Sequence, residues 1–267
     1  MPYAKNDNTK IYYEEHGSGE PLLLIMGLGY TLDMWHRTAP RLAERYRVIR
    51  FDNRGVGRSD VATGPYSPAL LAEDALAVLD AANISRAHVF GISMGGFIAQ
   101  ELALRHPERL RSLILGCTHH GGPHAVMPGP AVLSMFGVRA TLPKEAAVRL
   151  MVPYLYDAST PAERIEEDLV IRLEHFPTAE GYLAQLQGVL GFESRTRLGQ
   201  LRMPTLIVHG EHDGVVPAAN AHLLVDAIPG ARLAMLENAS HIFFTDQPDR
   251  THQAVSEFLQ GVRAPAG

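Results

Sequence analysis

Cysteine is nearly missing from this chain. Its 267 residues include one, Cys117, so no intrachain disulfide can form, and a disulfide-stapled scaffold is excluded. Cys117 follows the apolar run Leu113-Ile114-Leu115 and reads as a small buried hydrophobe, not a nucleophile or ligand. Long apolar runs are missing too. None approaches the roughly 18–20 residues that a membrane helix needs, so no membrane partner is expected. Positive charge is not in excess: 24 Lys and Arg stand against 29 Asp and Glu, a net charge of -5. Nucleic acid is therefore not expected as a partner, since its phosphates call for a basic face. The opening residues, Met1 to Gly17, contain no basic segment followed by an apolar one. A secretory signal is not expected, and the cytoplasm is the expected location. The sequons at Asn83 and Asn238 carry no weight without secretion. No internal repeat or low-complexity block interrupts the chain.

What is there fits a globular protein. Hydrophobic residues make up 46% and charged residues 20% of the sequence, an ordinary balance for a packed domain. The length suits one large α/β domain with a generous core, or a domain carrying an insertion. Short apolar runs predict strands over Ile11 to Tyr13, Leu22 to Met26, Arg47 to Phe51, His88 to Ile92 and Leu113 to Gly116. Helical patterns lie between them. Ser67-Pro68 predicts a cap and first position for a helix reaching Ala82. A second helix is expected over Met94 to Leu104, ended by His106-Pro107. Alternating strand and helix imply a mostly parallel sheet with helices on both faces.

The rhythm changes near Gly121. Helices are expected over Ala146 to Leu155, Pro161 to His175 and Ala179 to Leu190, with prolines as punctuation. The β/α rhythm then returns: a strand over Thr205 to Val208, a helix over Ala218 to Ala227, a strand over Arg232 to Leu236 and a closing helix over Pro248 to Gln260. The expected organisation is a core of residues 1–120 and 202–267, with 121–201 as a helical cap. Ala264 to Gly267 is expected to fray.

The sharpest motif is Gly91-Ile92-Ser93-Met94-Gly95, set between a predicted strand and a predicted helix. Such a turn strains its middle residue, needs small neighbours and lifts the serine hydroxyl above the sheet. The helix N-terminus behind it favours developing negative charge. Ser93 is the expected nucleophile. A hydroxyl needs a base, and His241 is chosen from 13 histidines because it follows a predicted strand and precedes the last helix. Asp213, just after the strand ending at Val208, is the expected orienting acid, with Glu211 as its nearest competitor. Met26-Gly27-Leu28-Gly29 also follows a strand, and the backbone N–H groups of Leu28 and Met94 are the expected oxyanion donors.

These segments, with Asp52-Asn53-Arg54-Gly55-Val56-Gly57-Arg58-Ser59, Gly210 to Pro217 and Ala239-Ser240-His241, resemble the α/β-hydrolase superfamily over nearly the whole chain. Within it the chain resembles small carboxylesterases, 3-oxoadipate enol-lactonases and aclacinomycin methylesterases. The resemblance implies an eight-stranded α/β-hydrolase sheet, a helical cap after the sixth strand and the chain order Ser93, Asp213, His241. It also implies a structural role for the loop of Asp52 and Arg54. Two departures matter. Many relatives have histidine where this chain has Met26, a structural position in the family. Haloalkane dehalogenases and epoxide hydrolases use aspartate where Ser93 stands, which disfavours both activities.

The reading is a serine carboxylic-ester hydrolase acting on a small ester or lactone, with no cofactor and no metal. The rivals are an enol-lactonase-like lactonase, a carbon–carbon bond hydrolase with the same triad, and a non-catalytic ligand-binding scaffold. His120 and His124 are four apart, but Gly121-Gly122-Pro123 forbids the helix that would aim both at one metal. Trp35, His119, Met135, Phe136, Met151 and Tyr154 are the candidate substrate contacts. The cap arginines Arg139, Arg149, Arg164 and Arg172 are either carboxylate ligands or a solvated face.

Overall fold

The computed structural model describes residues 2–64 and 66–262; the expected fraying of Ala264 to Gly267 lies outside the described residues. Eight strands form one sheet: β1 (Tyr3–Asn6), β2 (Thr9–His16), β3 (Glu20–Ile25), β4 (Tyr46–Phe51), β5 (Ala87–Ile92), β6 (Leu110–Gly116), β7 (Thr205–Gly210) and β8 (Arg232–Leu236). Their order is β1-β2-β4-β3-β5-β6-β7-β8. The pairs β1/β2 and β2/β4 are antiparallel, and the remaining pairs are parallel. This is the mostly parallel sheet expected from the strand and helix alternation, with the eight strands that the resemblance implies.

The period-2 side-chain alternation of a strand splits the core into two layers. Among the helices that flank the sheet are α1 (Ala39–Ala43), α2 (Pro68–Ala81), α3 (Met94–Arg105) and, last in the chain, α11 (Pro248–Gly261). Leu23 and Ile25 of β3 pack with α2 (through Leu71, Ala75 and Val78) and α3 (through Ile98 and Leu102). Leu22 and Leu24 face the other way, towards Leu42 of α1 and Val255 and Phe258 of α11. Ser67 caps α2 as expected, its Oγ accepting from the Leu70 N–H at 3.1 Å.

Between β6 and β7 the chain inserts α4 (Pro130–Arg139), α5 (Lys144–Leu150), α6 (Val152–Leu155), α7 (Ala162–Glu174) and α8 (Ala179–Leu190). The two stems of this block are tied together. Gly121 and Glu193 form an antiparallel bridge, and the Ser194 N–H donates to the His120 carbonyl at 2.8 Å. Asp168 of α7 docks the block on the core. Fully buried, it accepts from Thr245 Oγ1 at 2.7 Å and Tyr156 Oη at 3.1 Å. After β7 follow α9 (Ala219–Ala227) and, beyond β8, α10 (Phe243–Asp246).

Three expectations change. The helix expected over Ala146 to Leu155 breaks at Met151 into α5 and α6. Pro153 has no N–H to continue the ladder and sits in the first turn of α6 instead. The sequence reading places no helix between Gly121 and Ala146, yet Pro130 opens α4. Strand β1 was not expected either. It joins β2 in a hairpin through Asp7 and Asn8, with Asp7 at φ 51°.

The loop that contains Asp52 is held from inside. Arg54 makes a two-pronged pair with Asp74 of α2, Nε to Oδ2 at 2.9 Å and Nη2 to Oδ1 at 2.7 Å. Asn6 Nδ2 adds a third donor to Asp74 at 2.8 Å. Both members of the ion pair are buried. Asp74→Ala strands the guanidinium and is expected to cost about 3–5 kcal/mol, read from urea unfolding; a loss below about 1 kcal/mol would contradict this account.

Candidate active site

Ser93 stands between β5 and α3 at φ 53°, ψ -121°. A serine at positive φ is strained, and the surroundings must hold it there. Its N–H donates to the Gly116 carbonyl at 2.9 Å, and its carbonyl accepts from Thr118 Oγ1 at 2.8 Å. The helix start is pressed onto the end of β3. A Cβ on Gly95 would collide with the Ile25 carbonyl and stand 2.8 Å from that of Met26, so glycine is required. The motif therefore encodes a close approach as well as a turn.

His241 follows β8 in a loop threaded onto its neighbours. The Ser240 N–H donates to Asp246 Oδ2 at 2.7 Å, and the Ile242 N–H donates to the Leu155 carbonyl at 2.8 Å. Gly210, at the end of β7, lies so close that an added Cβ would meet the carbonyls of Ser240 and Ala239. This proximity brings Asp213 to the histidine. Nδ1 of His241 donates to Asp213, 2.9 Å from Oδ2 and 3.1 Å from Oδ1, which leaves Nε2 for the cavity. Asp213 also accepts the N–H groups of Val215 and Val216, both at 2.8 Å, and lies 3.2 Å from His209 Nε2. Burial alone would raise its pKa. The His241 and His209 rings outweigh that and hold the carboxyl well below the usual carboxylate range.

Ser93, Met94, Leu28 and His241 line one cavity of about 520 Å³. In this structure no hydrogen bond joins the Ser93 hydroxyl to the His241 ring. The loop carrying Leu28 is fixed from two sides. Asn53 Nδ2 donates to the Met26 carbonyl at 2.8 Å. Gln185 of α8, fully buried, accepts the Gly29 N–H at 2.9 Å and donates to the Arg54 carbonyl at 2.7 Å.

Of the candidate substrate contacts, His119, Phe136 and Met151 line the cavity, while Trp35, Met135 and Tyr154 do not. Trp35 is fully buried between Phe90 and Phe244, its ring 5.2 and 5.6 Å from theirs. Met135 and Tyr154 pack on the same core layer as Trp35, and the Tyr154 carbonyl holds Ser240 Oγ at 3.0 Å. His119 accepts the Gly121 N–H at Nδ1, 2.9 Å away, so its proton is on Nε2. Burial and the neighbouring His120, His209 and His241 push its pKa down to about 4, so the ring is neutral near pH 7. Sequence reading missed Tyr30, Phe97 and Leu186, which also line the cavity. Two were signalled: Tyr30 follows the Met26-to-Gly29 loop directly, and Phe97 is one helical turn beyond Ser93. Among the described residues, no group of three or more His, Cys, Asp or Glu is placed to hold a metal ion. Cys117 is buried, and burial pushes its thiol well up.

Asp246 is the acceptor behind the histidine loop, and its other oxygen accepts from Thr160 Oγ1 at 2.6 Å. Burial raises its pKa from 3.8 to about 6. Its proton is thus held more tightly folded than unfolded. The resulting stabilisation is complete below about pH 4 and lost as pH rises through about 6. Asp246→Asn keeps an acceptor for the Ser240 N–H and offers its NH2 to Thr160 Oγ1, whose hydroxyl can turn to accept, and it does not titrate. The variant is expected to gain stability over the wild type as pH rises from 4 to 7, by about 3 kcal/mol at most. Thermal midpoints of both proteins across that range measure the difference, and a difference independent of pH would refute the assignment.

Residues 20–248 match the family model described as alpha/beta hydrolase fold. A protein of Azorhizobium caulinodans with the provisional name carbamate hydrolase RutD is 37% identical over 258 residues, covering 93% of this chain and 94% of the relative. The pimeloyl-[acyl-carrier protein] methyl ester esterase of Aeromonas hydrophila is 33% identical, covering 92% and 98%. Among solved structures, the enol-lactonase from Burkholderia xenovorans superimposes with a TM-score of 0.86 at 30% identity, covering 97% of this chain and all of that one. With the sheet order, the inserted helices and the strand-end residues already described, these matches establish that the chain belongs to the α/β hydrolase fold family.

Proposed function

We propose that this protein is a serine hydrolase that cleaves small carboxylic esters through an acyl-enzyme. The observation that carries the reading is the strained Ser93 at the head of α3. It opens into the same cavity as a histidine whose Nδ1 is bonded to a buried, ionised Asp213.

In the first step Ser93 Oγ attacks the ester carbonyl while Nε2 of His241 takes its proton. Asp213 keeps the proton of the imidazole on Nδ1 and stabilises the imidazolium. The N–H groups of Leu28 and Met94 receive the oxyanion, each worth roughly 3 kcal/mol in the transition state. The imidazolium then protonates the departing alcohol. Water, deprotonated by His241, attacks the acyl-enzyme, and Ser93 recovers its proton as the acid leaves. The scheme needs no cofactor or metal. The relatives' names, which describe cleavage of a carbamate, a methyl ester and an enol-lactone, support acyl transfer to water. Among the described residues no helix is long and apolar enough to cross a membrane, and the partner in this scheme is a small ester or lactone.

Ser93→Ala is expected to lower turnover of a short p-nitrophenyl ester at least 1,000-fold, on the order seen when a nucleophile is removed, with the unfolding midpoint retained. Labelling of the wild type, but not the variant, by a fluorophosphonate is the parallel readout. Near-wild-type activity in a folded Ser93→Ala protein would end the proposal. Asp213→Asn is expected to lower kcat about 10,000-fold through the wrong imidazole tautomer, measured on the same ester.

A further inference from the structure

The four cap arginines separate cleanly. Arg149 is an exposed surface residue paired with Glu166 at 2.7 Å. Arg164 donates to the carbonyls of Thr245 and Asp246, both at 3.2 Å. Arg139 and Arg172 are different: they are 6% and 5% exposed, and neither has a carboxylate partner among the described residues. Nε of Arg139 and all three guanidinium nitrogens of Arg172 are buried without a hydrogen-bond partner. Their company is aromatic. The Arg139 guanidinium carbon lies 4.7 Å from the Tyr182 ring centre and 5.5 Å from that of Tyr30, and the Arg172 carbon lies 4.9 Å from that of Tyr30.

Ring faces stabilise the charge but satisfy none of the N–H donors, which project from the edge of the guanidinium plane. Leaving a buried cation without an anion is costly. Arg139 is also a wall of the cavity that holds Ser93. It is the one permanently charged side chain among the described lining residues, and no Asp or Glu joins it there. The rest of the wall is largely apolar, with Phe97, Phe136, Leu186 and Val189 among its members.

The cation is placed along the same short loop as the nucleophile. A Cβ on Gly27 would stand 3.1 Å from Ser93 Cβ, and one on Gly29 would stand 3.0 Å from Arg139 Nη1. Two residues span at most about 7 Å.

We propose that Arg139, backed by Arg172 across Tyr30, is the carboxylate-recognising subsite of this cavity. The substrate is then an ester or lactone that carries a second, anionic carboxylate at the far end of a short apolar chain, such as the half-ester of a dicarboxylic acid. This rests on the hydrolase reading above and names its substrate class.

Monomethyl adipate and methyl hexanoate share a chain length and differ in one carboxylate, so they test the proposal directly. By pH-stat, wild-type kcat/KM is expected to be at least 10-fold higher for the half-ester. Arg139→Met should reduce that ratio about 10–100-fold, the usual effect of losing a charge-assisted hydrogen bond, and Arg139→Lys should retain part of it. Calorimetry of monomethyl adipate on Ser93→Ala protein reads the subsite without catalysis. Saturable binding, lost in the Ser93→Ala, Arg139→Met double variant, is the expected result. Should Arg139→Met fail to fold, the wild-type ratio, the lysine variant and binding to Ser93→Ala carry the test. Equal turnover of both esters by the wild type, or a ratio unmoved by a folded Arg139→Met, overturns the subsite and leaves the hydrolase reading standing. Absence of half-ester binding to Ser93→Ala also overturns it. Turnover of neither ester, with Arg139-dependent binding to Ser93→Ala, supports the subsite and counts against the hydrolase reading.

Discussion

A carboxylate cut off from water must find all its partners inside the protein, and Asp213 is such a group. Its oxygens are met by two backbone N–H groups and by the His241 and His209 rings. Each partner comes from a different constraint. Val215 and Val216 belong to the turn that leaves β7. His241 arrives from the β8 loop, which Gly210 admits by having no side chain. His209 is the penultimate residue of β7 and is anchored to the Val216 carbonyl at 2.8 Å. Removing the charge would leave three donors, the Val215 and Val216 N–H groups and the His241 Nδ1–H, without their acceptor, so the geometry at this edge of the sheet is set by one ion.

The Ser93 side obeys a complementary rule. There no ion organises the site; steric closeness does. The head of α3 sits on the end of β3, and Ser93 is held at positive φ by hydrogen bonds at both its N–H and its carbonyl. Strain of this kind persists only where the surroundings over-determine it. The two halves of the site thus arise from different physics, an electrostatic cage at β7/β8 and a steric wedge at β3/β5, and meet across one cavity.

Much of this was legible in the sequence because the signals were local. The alternation of β-rich runs and amphipathic segments gave the sheet and its parallel sense. The glycines around Ser93 marked the wedge, and the spacing of Asp213 and His241 behind apolar runs put both at strand ends. The helix over Ala179 to Leu190 has the observed bounds because its ends are marked locally, by Thr178 capping the Gly181 N–H at 3.1 Å and by Gly191 at the other end. Other features were decided by contacts far apart in the chain. Trp35 has the composition of a pocket residue, but Phe90 and Phe244 enclose it, and neither is near it in sequence. The difference between Arg139 and Arg149 depends on which carboxylates fold up beside them. The hairpin at Asp7-Asn8 was present as a turn signal, but four residues of strand before it were too short to show a period.

Gln185 changes how the inserted helices should be regarded. Its amide grips the backbone at Gly29 with one end and at Arg54 with the other, so α8 serves as a strut for the loop that carries Leu28. The insertion is therefore not an interchangeable module resting on a finished catalytic base. A cap transplanted from another member of the family would bring its own cavity shape, yet it would also have to deliver an amide to this same depth and register. The inserted helices differ in this respect: α4 buries only Val132 and Arg139, whereas in α8 the buried Gln185 makes any change of shape a change in the loop it holds.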